Sequence, residues 1–133
     1  YLMNKSNINK ESLKGITALL VHVANIDEAY TDKEKKIIKD FIASFSYGDS
    51  DVEGVLKEAE QLESDSIQLL SFTNLVKKES LELKTEVMEH LWKIIISDKS
   101  VDQYESSLMR RICGLIYFPD KLSGEIKLKI LNQ

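Results

Sequence analysis

The chain has 133 residues, 43% hydrophobic and 30% charged, so it is one domain's length and neither disordered nor fibrous. A lone cysteine, Cys113, excludes an internal disulfide and Cys-based zinc or iron–sulfur chemistry, and two histidines leave little for His-rich metal sites. A net charge of −4 argues against a nucleic-acid footprint, and no run of 18 apolar residues is present to span a membrane.

Residues 1–12 read as an N-terminal extension and 13–133 as one helical domain. The chain opens at Tyr1, which leaves an upstream signal or anchor open. Leu13, Ile16, Leu19, Leu20 and Val23 mark one face of a first helix, apolar enough through Gly15–Ile26 to be central. Thr31 with Glu34 three residues on forms a capping box, in which each side chain satisfies the other's free backbone N–H. Ile37, Ile38, Phe41, Ile42 and Phe45 follow as a helical stripe ended by Gly48. Asp49 or Ser50 starts a third helix carrying Val52, Val55, Leu56, Ala59 and Leu62. A fourth begins at Ser64 or Ser66 and carries Ile67, Leu70, Phe72, Leu75 and Val76. Ser80 caps a fifth that runs through Val87, Met88, Leu91, Trp92 and Ile94–Ile96. Asp102 with Glu105 is a second capping box, opening a sixth helix striped by Leu108, Met109, Ile112, Cys113 and Ile116. Ile126 to Ile130 alternates with period two, but a lone strand would lack a partner, so a short last helix after Pro119-Asp120 is expected.

A shift of about 71 residues superimposes the two halves. It places Asp27 on Asp98, Thr31 on Asp102, Glu34 on Glu105, Ile38 on Met109, Phe41 on Ile112 and Asp49 on Asp120. Leu20 and Val21 meet Leu91 and Trp92. Each half then reads as apolar helix, acidic loop, capped amphipathic helix, turn and shorter helix, with one apolar face left open. Two such units closing on each other make a single core, bridged by the fourth helix.

Ala24 to Glu34 resembles the first signature of the TerB-like tellurite-resistance family, and Ile95 to Glu105 the second. The pattern is a small-residue helix end, Asp-Gly, a hydrophobic residue, a helix cap and a glutamate, once in each half. It covers about Leu13 to Leu131, and is similar also to the N-terminal domain of a membrane-anchored DnaJ-type co-chaperone. The chain departs from it where Glu28 and Lys99 replace the glycine after each aspartate, and Lys99 sets a cation beside Asp98. The resemblance implies an all-α bundle of about seven helices in two pseudo-equivalent halves, no catalytic activity, and acidic loops proposed to bind divalent metal.

The residues themselves allow two readings. Asp27, Glu34, Asp98, Asp102 and Glu105 offer hard oxygen donors suited to Ca²⁺ or Mg²⁺, although no twelve-residue calcium loop is present. The same residues also serve as helix caps that need no ion. The acidic run Glu58, Glu60, Glu63 and Asp65 reads as a solvated face. His22 reads as a core or groove histidine, His90 as a surface partner of Glu86, and Cys113 as a small buried hydrophobe. An enzyme using Asp27 and Asp98 as a carboxylate pair is disfavoured because no cofactor motif accompanies them. The expectation is a non-catalytic binding module in a stress-response setting, cytoplasmic or at the inner face of a membrane through a partner or an upstream segment. It takes protein partners and no nucleic acid. The alternative is a protein-interaction adaptor whose acidic loops are only structural.

Overall fold

A computed structural model describes residues 10–26, 30–45, 49–65, 69–97 and 103–132. Those residues form seven helices: α1 (Lys10–Ala24), α2 (Asp32–Ala43), α3 (Asp49–Asp65), α4 (Leu69–Lys77), α5 (Leu81–Ile96), α6 (Gln103–Ile116) and α7 (Asp120–Leu131). The chain is thus an all-α single-domain bundle, as the hydrophobic periodicity requires. None of these helices is long and apolar enough to cross a membrane.

The repeat is carried by the helix starts. α5, α6 and α7 begin 71 residues after α1, α2 and α3 respectively, and α4 falls between the halves. α1 packs on α3 as α5 packs on α7, and α1 meets α5 at the centre. The equivalence is broken by the bridging helix: α2 lies against α5, whereas α6 lies against α4, which in turn rests on α1.

α1 is central, with Leu13, Ile16, Leu19 and Leu20 fully buried. Gly15 lets α4 come close, because a Cβ there would run into the Leu75 side chain. Thr17 is also buried in this helix, and its hydroxyl has no hydrogen-bond partner among the described residues. From the second half, Met88, Leu91, Ile94, Met109 and Ile112 complete the core.

Helix ends follow local chemistry. Ser80 Oγ accepts from Leu83 N at 3.2 Å and caps α5. α6 ends in a Schellman-type turn in which Phe118 N donates to Cys113 O at 2.8 Å and Phe118 is buried. Tyr117 occupies the left-handed position of that turn, at φ 59°, where glycine is usual. Pro119 then precedes α7.

Two expectations are corrected. Ser64 does not open the fourth helix, because α3 continues through it to Asp65; Ser66 lies outside the described residues. The alternation at Ile126–Ile130 is helical: Leu122, Ile126 and Ile130 repeat every four residues along the inner face of α7, while Leu128 faces out.

Candidate functional site

The junction between α1 and α2 is built from three helices. At its α2 end Thr31 has extended backbone and caps the helix, with Thr31 Oγ1 accepting from Glu34 N at 3.2 Å. Glu34 Oε1 returns the contact, accepting from Thr31 N at 2.8 Å and from Thr31 Oγ1 at 3.2 Å. Glu34 is only 2% exposed, so its carboxylate is a structural part of the helix start.

α3 supplies the other carboxylates. Tyr30 donates its hydroxyl to Glu60 Oε2 at 2.7 Å, and Asn25 Nδ2 donates to Glu63 Oε1 at 3.1 Å. His22 Nδ1 lies 3.3 Å from Glu63 Oε2. Glu60 and Glu63 therefore hold both flanks of the junction, and the acidic run is not merely a solvated face. Burial pushes the Tyr30 phenol well above its ordinary value, helped by the bond to Glu60 and by the negative charge of Glu60, Glu34 and Glu63. Of these carboxylates only Glu60 touches the phenol, while Glu63 faces Asn25 and His22 and Glu34 is held in the capping box.

The junction after α5 begins at Ser97, whose carbonyl accepts from Lys33 Nζ at 3.3 Å. Lys33 belongs to the first turn of α2, next to the Thr31–Glu34 box. This bond brings the end of α5 to the start of α2. Glu105 lies half-buried in the first turn of α6. Asp27, Asp98 and Asp102 lie outside the described residues, and with them the second capping box.

A further cluster sits on α5, where Glu86, Glu89 and His90 have side-chain ligand atoms within 4.8 Å of one another. His90 does lie beside Glu86, with Nδ1 3.8 Å from Glu86 Oε2, but it is buried rather than on the surface, because positions 83, 87, 90 and 94 form the inner stripe of α5. Its ring meets Phe41 edge-on at 5.2 Å. Nδ1 lies 2.8 Å from the Glu86 carbonyl, and since a carbonyl only accepts, Nδ1 carries the proton. Burial lowers the His90 pKa, and Lys129 Nζ stands 3.5 Å from Glu89 Oε2. The proton on Nδ1 takes that nitrogen out of any ligand set and leaves Nε2 as the ring's one acceptor. Cys113 is buried as expected, and burial raises its thiol pKa, which makes it a poor nucleophile.

Sequence reasoning missed Lys33, Glu60 and Glu63. The i, i+3 spacing of Glu60 and Glu63 places both on one face of α3, but which neighbour that face meets is set only by packing on α1.

Comparison with known proteins places a family model, described as Tellurite resistance protein TerB, on residues 14–128. Neither a curated protein nor a solved structure matches the chain.

Proposed function

The chain belongs to the TerB family, and from that premise we propose that it is a non-catalytic binding module whose paired acidic junctions take up a divalent cation, Ca²⁺ or Mg²⁺, with weak affinity. One observation carries this reading: Glu60 and Glu63 of α3 reach the α1–α2 junction, Glu60 at Tyr30 and Glu63 at Asn25. Glu34 is spent on the capping box, so Glu60 and Glu63 with Asp27 would supply the oxygens on the first side. Asp98, Asp102 and Glu105 would supply them on the second. An ion bound there would neutralise like charges that otherwise repel. The module would act in a stress response at the inner face of a membrane, reached through a protein partner or an upstream segment.

A second reading has its own support. Glu34, Glu60 and Glu63 each already accept hydrogen bonds from the protein, which suits an adaptor with purely structural junctions. Calcium titration followed by amide NMR separates the two. Shifts at 25–34, 60–63 and 97–105, saturating by about 10 mM, are expected for the cation module, since weak calcium modules bind at roughly 0.1–1 mM. Spectra unchanged at that concentration would leave the adaptor.

A further inference from the structure

The internal repeat sets two grooves in comparison. In the first half, α2 and α3 line a groove of about 200 Å³ that includes Lys35, Lys39, Glu53 and Leu56. Its charge is closed from within, because Lys39 Nζ lies 2.7 Å from Glu53 Oε2. In the second half, α6 and α7, floored by Trp92 of α5, line a cavity of about 360 Å³. With the 71-residue shift, Arg110 replaces Lys39, Gly124 replaces Glu53, Lys127 replaces Leu56 and Trp92 replaces Val21.

The cation has been kept and its carboxylate deleted. Gly124 opens onto space, with no atom within 4 Å of where its Cβ would stand. Neither Arg110 nor Lys127 has a carboxylate partner among the described residues. Lys127 Nζ instead lies 5.3 Å over the Trp92 ring, and Trp92 Nε1 donates to the buried Ser123 Oγ at 3.0 Å. Asp120 also lines the cavity, with its carboxyl group beside the Cys113 thiol.

We propose that this cavity binds a small organic acid, whose carboxylate pairs with Arg110 in the space that the Glu53 side chain fills in the first half. A guanidinium offers a planar fork matched to a carboxylate, and Lys127 adds a second positive charge for the far end of a dicarboxylate. The cavity is at the small end of ligand sites, which suits an acid of a few carbons.

Propionate, which reproduces the glutamate side chain, and glutarate, a longer dicarboxylate, are the probes, read by NMR. Trp92 is the single tryptophan, so its indole N–H is a unique reporter. Both acids are expected to shift that signal together with amides of 106–110 and 120–127, glutarate more tightly. Arg110→Ala should weaken binding at least about tenfold, the scale of one lost charge-assisted pair. Gly124→Glu should do the same by restoring the first-half pair, with a thermal midpoint equal to or above wild type showing that it folds. An unmoved indole signal, undiminished binding in either variant, or equal affinity for inorganic phosphate would each overturn the proposal.

Discussion

Replacing Glu34 separates its structural work from its charge. The carboxylate is 2% exposed and accepts from Thr31 N at 2.8 Å and Thr31 Oγ1 at 3.2 Å. Hydrogen bonds to a charged acceptor contribute about 1.5–3 kcal/mol, and their loss leaves a backbone N–H of the helix start unsatisfied. Glu34→Ala should therefore cost about 2–3 kcal/mol, a fall in thermal midpoint of roughly 6–12 °C for a domain of this size. Glu34→Gln keeps an oxygen that accepts both bonds, and glutamine is an accepted partner in capping boxes. It also removes one of three negative charges around Tyr30, which offsets the weaker acceptor. Its cost should stay below about 1 kcal/mol. Urea denaturation of wild type and both variants, read by circular dichroism, measures the difference. If Glu34→Gln is as damaging as Glu34→Ala, the carboxylate charge itself holds the junction and the capping argument is wrong.

Three other outcomes follow from particular contacts. Thr17→Val deletes a buried hydroxyl without a partner and should raise stability by about 1 kcal/mol in denaturant titration; a loss would mean that the hydroxyl is bonded. Tyr117→Gly relieves the left-handed backbone at φ 59° and should raise stability by about 0.5 kcal/mol, after allowing for the lost contact of Lys77 with the ring. Burial lowers the His90 pKa from 6.5, so below pH 6.5 the unfolded chain binds a proton that the folded chain resists. Stability should fall with pH there by up to about 1.4 kcal/mol per unit, and less steeply in His90→Gln; parallel curves would refute the assignment.

The fold was legible because helices declare themselves locally. Thr31-x-x-Glu34 and Ser80 marked two helix starts, and the 71-residue shift reappears in the starts of α5, α6 and α7. The site was only half legible, for a physical reason. Glu34 could be read as a cap because its partner is three residues away, whereas Glu60 and Glu63 meet Tyr30 and Asn25 at separations of 30 and 38 residues. His90 was misread because its charge partner Glu86 suggested a surface, although the stripe of Leu83, Val87 and Ile94 on the same helix already placed it inside. Nothing local in Lys33 signals its bond to the carbonyl of Ser97, which depends on α2 packing against α5.

Paramagnetic Mn²⁺, a hard dication that stands in for Mg²⁺, interrogates both acidic turns at once. Added below stoichiometry, it should broaden the amides of Asn25, Ile26, Tyr30 and Ser97 together, while Leu83, roughly 20 Å away along α5, stays sharp. Broadening confined to one turn, or spread evenly over the chain, would contradict a shared cation site at the meeting point of the two halves.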